Sequence, residues 1–491
     1  MQYKWTVLTV TTVGVLMSGI DGRIVIIGLP TVAAALHADA EQAIWFTQAY
    51  TIGSTIALLF IGRVSDIFGR VKVYTLGFTV FTIGSVLTSF STTPDLFIAS
   101  RMFQGLGASA LFANSAAIVT DAFPTTELGK ALGINSVAFR AGSMLGLTLS
   151  GFILSIADWR FLFYINIPVG IFGTLWAHRK LKEIGERERG APMDWPGFVT
   201  FSTSITSFLL ALTFAAYGTA EDLVVAALGL ISTLAFASFL LIEKRTKTPL
   251  LDLSLLRIRE YAGGVTTQLL NAMAWGAFIL LLSLYLQLVQ GLSPIQAGIS
   301  ILPFDVAFLI VGPTSGRLSD KYGTMPFTTA GLATVSVSLF LLSTLGPATP
   351  FSTVLVYLVI GGGGMGLFVS PNMSSIMGSV PAHRRGVASG LRATFFNVGY
   401  TLSFNIVILI LALSVPYAVI TSIISSASGV HVTLADKDLF VAGLNNVYRV
   451  LVVINTVAII PSLLRGRRVV SNDKEPDSDS NTGAATSLSA D

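Results

Sequence analysis

The sequence predicts an all-α protein that crosses a membrane many times and is built from two copies of one helical unit. Three observations predict it. The chain of 491 residues is 53% hydrophobic and only 11% charged, with a mean hydropathy of +0.75. A soluble domain carries about 25% charged residues. A chain this poor in charge cannot clothe its own surface in water, whereas lipid removes that need. Second, fourteen apolar runs long enough to span follow one another, a spanning helix needing about 20 mostly apolar residues. Third, two unrelated motifs recur in the same order. Gly62, Arg63, Asp66 and Gly69 fall on Gly316, Arg317, Asp320 and Gly323, 254 residues on. Pro124, Gly129, Gly133 and Gly142 fall on Pro381, Gly386, Gly390 and Gly399, 257 residues on. Nearly one spacing for both indicates a six-helix unit duplicated in the same orientation.

Taken in order, the expected spans of the first copy are 5–29, 43–62, 71–91, 96–120, 130–155 and 160–177. Pro30, Pro94 and Pro124 punctuate them. Runs 196–217 and 223–242 have no repeat partner. The second copy supplies 261–289, 295–316, 325–345, 350–377, 387–413 and 440–464. The organisation is then an N-terminal six-helix bundle (1–181), two linker spans with flanking loops (182–260), a C-terminal six-helix bundle (261–466) and a disordered polar tail (467–491). Residues 414–439 form the one sizeable loop on the outer side.

Lys and Arg set the topology. Arg63, Arg70, Lys72, Arg179, Lys180, Lys182, Lys244, Arg245, Arg317, Lys321, Arg465 and Arg467 share one side. The other side holds little beyond Arg160 and Lys437, with the acids Asp39, Glu41, Glu221 and Asp222. Both termini are therefore expected in the cytoplasm of a multi-pass protein of the cell membrane. The first run is expected to be a span, since no small-residue cleavage site follows it. With no cysteine in the chain, thiol chemistry and thiolate metal sites are excluded. The four histidines, His37, His178, His383 and His431, are too scattered for a metal cluster. The basic pI near 9.2 follows the membrane topology and does not imply nucleic acid. No phosphate-binding GxxxxGK[ST] loop, HExxH or nucleophile elbow occurs. An enzyme is not expected, and transport would draw on an ion gradient.

Five motifs in order carry a resemblance. They are Asp21, Val25, Leu29 and Pro30; Trp45 and Tyr50; Gly62, Asp66, Gly69 and Arg70; Arg101, Gln104, Gly105 and Gly107; and Trp159, Arg160, Phe163, Asn166, Pro168 and Gly170. On these the chain resembles a major facilitator superfamily transporter of the fourteen-helix drug:proton antiporter group, over nearly everything but the tail. The resemblance implies a major facilitator fold of two six-helix bundles plus two extra helices. It also implies proton-coupled multidrug efflux by alternating access, and links the helix 1 acid and helix 4 arginine to substrate and proton handling. The chain departs from the group's pattern in helix 5, where Leu147 stands for an expected proline after Gly142 and Gly146 and Ser150 precedes Gly151. It departs also at Arg23 and Ile26, and at Arg140 in mid-helix 5.

The residues themselves suggest roles. An ionised side chain in mid-membrane costs about 2.5–3.5 kcal/mol and is functional by default. Asp21, Arg101, Asp305 and Arg140 are the candidates for proton and substrate coupling, because a carboxylate in an apolar cavity can load a proton and release it to an approaching cation. The plain alternative for Asp21 is an ion pair with Arg23 or Arg101. Asp305 has no partner nearby in sequence and is expected to face a cavity, while Arg23 and Arg449 are expected to snorkel to the surface. Gly62, Asp66, Gly69, Arg70 and Asp320 are read as a gating turn, its glycines allowing close approach and Arg70 pairing with an acid across the seam between bundles. The bland alternative is a turn bearing positive-inside charge. Tyr50, Gln104, Asn114, Trp275 and Asn397 are candidate cavity residues, and simple helix–helix hydrogen bonding is the competing reading for each. Gly142 and Gly146 lie on one face of helix 5 and are expected to pack.

The function expected is a secondary exporter exchanging protons for an amphipathic organic compound, acting as a monomer with no cofactor beyond the proton gradient. One alternative is export of an anionic or zwitterionic metabolite held by Arg140 and Arg101. Another, of a different class, is a membrane sensor or scaffold that moves nothing.

Overall fold

The computed structural model describes residues 2–184, 193–217, 221–246, 249–381, 385–416 and 434–466. The expected tail and most of the expected 414–439 loop lie outside the described residues, as do His383 and His431. Everything regular among the described residues is helical. The first unit runs α1 (Tyr3–Ala35), α2 (Ala40–Phe68), α3 (Arg70–Ser89), α4 (Pro94–Ala122), α5 (Thr125–Ile156), α6 (Phe161–Tyr164) and α7 (Asn166–Lys180). Two linker helices follow, α8 (Trp195–Tyr217) and α9 (Asp222–Arg245). The second unit runs α10 (Arg259–Trp275), α11 (Phe278–Leu284), α12 (Pro294–Tyr322), α13 (Thr324–Leu342), α14 (Phe351–Gly378), α15 (Arg385–Ser414), α16 (Leu434–Val457) and α17 (Ile459–Leu464). Thirteen of the helical stretches are long and apolar enough to span, and α2, bent by 48° near residue 59, makes up to 14.

The duplication is visible in the caps. Asp39 accepts a hydrogen bond from Gln42 N at 2.8 Å and its own N–H donates to Gln42 Oε1 at 3.2 Å. Ser293 and Gln296 repeat this pair at 3.3 and 2.9 Å, 254 residues later. Each reciprocal box satisfies the otherwise orphan donors that start a helix. The helices they start, α2 and α12, are both 29 residues long. Each stops at a glycine with positive φ, Gly69 at 110° and Gly323 at 88°. Only glycine takes that backbone without strain.

This corrects the expected gating turn. The stretch from Gly62 is helical through Phe68 and only Gly69 breaks it. A Cβ at Gly62 would meet open space, so that glycine does not serve close approach. The glycines that do are elsewhere. A Cβ at Gly142 or Gly146 would collide with the carbonyls of Leu16 and Ile20, which lets α5 lie directly on α1.

Contacts bring together the two ends of each bundle, the start of α1 with the end of α7 and the start of α10 with α17. With α8 and α9 running out and back between the bundles, these ends share one end of the molecule, the terminal end. The Tyr3 hydroxyl bonds the backbone of Lys182 at the end of α7, and Lys4 pairs with Glu127 at the start of α5 at 2.6 Å. Gly151 near the other end of α5 packs against Pro294 and Ile295 at the start of α12. Arg259 at the start of α10 donates to Leu464 O at 2.6 Å. At the far end the two units share one core, in which Ile24, Leu36 and Leu147 pack with Phe278, Leu286 and Ile301. At the terminal end the core divides. Val7, Tyr74, Ala131 and Ala177 belong to one cluster, and Phe201, Val265, Ile376 and Ala388 to another. The seam between bundles is thus sealed at the far end and divided at the terminal end.

Proline helps to seal it. Pro30 has no N–H to give to the Ile26 carbonyl four residues back. Ser283 of the other bundle donates to that carbonyl at 3.5 Å, and Gln287 donates to the next one, Ile27 O, at 3.2 Å. A buried carbonyl in lipid must find such a partner. The linker helices lie beside the seam. Phe60 of α2 packs its ring, tilted, against Trp195 and Phe198 of α8, and Thr213 of α8 donates to Asn405 of α15 at 3.1 Å.

Candidate functional site

Two ionised clusters sit at mid-span, one inside the first bundle and one on the seam. In the first, Asp21 of α1 is fully buried. It accepts from Arg101 of α4 at 2.7 Å, Gln104 at 3.0 Å and Asn166 of α7 at 2.7 Å. Arg101 also donates to Gln104 Oε1 at 2.6 Å and to the Phe46 carbonyl at 3.4 Å. The Tyr50 ring lies 4.4 Å from its guanidinium carbon. Gln104 donates in turn to Ser85 of α3 at 2.7 Å. A buried charge survives only when paired and hydrogen-bonded, and five helices, α1, α2, α3, α4 and α7, cooperate here to meet that demand. The structure therefore realises the ion pair of Asp21 with Arg101 and not with Arg23. Tyr50 and Gln104, expected to line a cavity, are the walls of this cluster.

The second cluster was not legible as a pair. Arg23 of α1 does not snorkel. Its Nη1 lies 3.3 and 3.2 Å from the two carboxylate oxygens of Asp305 on α12, and Asp305 is completely buried while Arg23 retains 14% exposure. The pair ties one bundle to the other. One helical turn further along α12, the Phe308 ring lies 4.0 Å from the guanidinium carbon of Arg140 on α5. Arg140 lies within electrostatic range of Arg23, Asp305 and Tyr400, and Tyr400 within range of Tyr50. Thr55 and Thr401 close the same seam with a 3.3 Å hydroxyl contact.

The remaining candidates separate. Asn114 is buried and donates to the Ala110 carbonyl of its own helix at 2.9 Å. Trp275 is stacked on Phe278 at 4.0 Å and Phe304 at 5.1 Å, and its indole N–H has no acceptor among the described residues. It stands 254 residues after Asp21, so the second copy has an aromatic where the first has its acid. Asn397 is half-buried on α15. Arg70 pairs with Asp66 at 3.2 Å and with Asp121 of α4 at 2.6 Å. Glu183 receives the backbone N–H of Arg70 at 2.7 Å. Asp66 and Asp121 lie in the first bundle and Glu183 directly follows α7, so the expected pairing of Arg70 across the seam is replaced by a clasp on the first bundle's own side. Asp320, the second copy's counterpart of Asp66, is exposed; the position matching Arg70 is Thr324.

Sequence reasoning missed Asn166 as a ligand of Asp21, Asp121 as a partner of Arg70, and Arg23 as the partner of Asp305. Asn166 was within reach, because it sits in the DWRFLFYINIPVG motif. The other two pairs join residues 51 and 282 positions apart, and nothing local marks them.

Two duplicated helical bundles with charged side chains buried at their junction, sealed at one end only, define a membrane transporter. The chain belongs to the Major Facilitator Superfamily, whose family model matches residues 11–404. It is 35% identical over 402 residues to the riboflavin transporter RibZ of Clostridioides difficile, covering 82% of this chain and 87% of that one. It is 30% identical to the multidrug resistance protein Stp of Mycobacterium tuberculosis, covering 82% and 75%. Among solved structures it superimposes on a D-xylose-proton symporter with a TM-score of 0.62 at 14% identity, covering 94% of this chain and 97% of that one. A bacterial homologue of the human lysosomal transporter Spinster gives 0.62 at 15%, with the same coverage. At such identities the structures speak for the fold alone.

Proposed function

We propose that the protein is a secondary active exporter of the cell membrane that exchanges protons for an amphipathic organic solute. The observation that carries this is the placing of two buried carboxylates, Asp21 and Asp305, each against an arginine at mid-span, one of them across the bundle seam. Protonating Asp305 removes the negative partner of Arg23 and loosens the tie between α1 and α12. Protonating Asp21 frees Arg101 and lets α4 and α7 shift against α1. A transporter needs such coupling between proton load and bundle geometry, because a ligand shifts a conformational equilibrium only by its differential affinity for the two states. The excess of basic residues at the terminal end supports a cytoplasmic assignment for that end. The divided seam then faces the cytoplasm, and the solute loads from inside. A monomer suffices, and the proton gradient is the only energy source required.

The relatives support the solute class. Their names include multidrug resistance proteins, a tetracenomycin C resistance and export protein at 26% identity, and the riboflavin transporter. Riboflavin and a panel of amphipathic drugs are the solutes to try first. The test is solute flux into proteoliposomes driven by an imposed pH gradient, in wild type and Asp21→Asn. Gradient-driven accumulation in wild type, lost in a variant that still inserts and stays monodisperse, supports the proposal. Unchanged coupling in Asp21→Asn removes Asp21 from the mechanism, and no flux of any solute would favour a protein that senses and does not carry.

A further inference from the structure

The charges at the seam do not cancel. Arg23 and Arg140 meet a single acid there, Asp305, and both its oxygens are engaged by Arg23. Among the described residues no carboxylate forms an ion pair with Arg140, Asp305 acting on it only at longer range, and what it touches is the Phe308 ring, 4.0 Å away. Arg101 is not a spare cation, because its charge is already paired with Asp21 at 2.7 Å inside the first bundle. A guanidinium at membrane depth without a paired acid is costly unless it faces a water-filled pathway, and there it is placed to receive an anion. Stacked on Phe308 by one face, it keeps its in-plane N–H groups for a partner. That fork matches the two oxygens of a carboxylate or phosphate.

The surroundings are aromatic. Tyr400 lies within electrostatic range of Arg140, and of Arg23 as well. It sits between Phe396, stacked at 6.0 Å, and Phe404, edge-on at 5.4 Å. The hydroxyls of Tyr400 and Tyr50 have no hydrogen-bond partner among the described residues, and each is a donor suited to an anionic oxygen. These groups come from α2, α5, α12 and α15, so both bundles contribute.

Resting on the transport reading above, we propose that Arg140 is the anion-binding residue of the solute site, and that the solute is a planar aromatic compound bearing a carboxylate or phosphate. Arg140 takes the charged group, the tyrosine hydroxyls assist, and the rings of Phe308, Phe396 and Tyr400 face the aromatic body. The indole N–H of Trp275 belongs to the neighbouring aromatic stack and is not needed for this.

The test is calorimetric binding to full-length protein in nanodiscs with three probes of one shape: 2-naphthoate, 2-naphthamide and 2-naphthylmethylammonium. Wild type should bind the anion about tenfold or more tighter than the amide, the scale of a hydrogen-bonded charge, and the cation most weakly. Arg140→Gln should bring anion and amide level, and Arg140→Lys should keep part of the preference. Equal binding of the three probes, preference for the cation, no binding of any, or an anion preference that survives in Arg140→Gln overturns the proposal. Should Arg140→Gln fail to fold, the wild-type charge series decides alone. The transport reading fails separately: an anion preference with no gradient-driven flux sinks transport and leaves the site, whereas flux of neutral or cationic solutes without anion preference sinks the site and leaves transport.

Discussion

Replacing Asp305 by Asn should open the far end of the molecule. The substitution keeps the shape and removes the charge facing Arg23. Breaking a buried ion pair from one side costs about 3–5 kcal/mol. Arg23 keeps 14% of its side chain exposed and recovers some hydration, so the lower figure, about 3 kcal/mol, applies. The pair joins α1 to α12, so the loss falls on the conformation in which the far end is sealed. Three kcal/mol is roughly a 100-fold change in an equilibrium constant. The assay uses the absence of native cysteine. Ala297→Cys, at a position fully buried in the shared far-end core, is then the sole thiol. Its labelling by a membrane-impermeant maleimide should accelerate by up to about 100-fold in Asp305→Asn. The double change Arg23→Met with Asp305→Asn should label at an intermediate rate, since removing both partners leaves no orphan charge. Identical labelling with and without Asp305 would refute the reasoning, because the pair would then not hold the seam.

Two further predictions concern glycines. Gly69→Ala should destabilise by about 1–3 kcal/mol, because a side chain at φ 110° is strained, while Gly62→Ala should be neutral or stabilising by up to about 1 kcal/mol, being helical with open space around it; thermal midpoints in detergent compare the two. Gly146→Leu should drive α5 off the Ile20 carbonyl and cost about 1–3 kcal/mol or more, read as a lower midpoint and lost flux.

Much of this fold was legible because its signals are local or periodic. The spans follow from apolar length, and the duplication follows from motifs at one offset, which the caps at Asp39 and Ser293 and the breaks at Gly69 and Gly323 then repeat. Gly62 and Gly69 looked alike in sequence, because a glycine does not announce whether it is there for a positive φ, for close packing or for neither. The candidate site was legible only in part. Asp21 and Arg101 could be suspected as partners, as charged residues facing the same membrane depth in one bundle. Arg23 and Asp305 could not, since a seam contact depends on how two bundles dock. The snorkelling expected of Arg23 failed for the same reason: an acid at contact distance outcompetes a longer reach to the headgroups. Arg140 was expected to face a cavity or an acid across it, and its Phe308 platform, which comes from the other bundle, could not be read from the sequence.

The account stands on an exchange of proton for solute at charges buried between two bundles. It is tested most directly by recording solute movement and internal pH in the same proteoliposomes, with no other ion gradient imposed. The account predicts that solute leaving a vesicle through the carrier brings protons in, with both signals lost in Asp21→Asn and Asp305→Asn. Solute crossing at full rate with no accompanying pH change would contradict it.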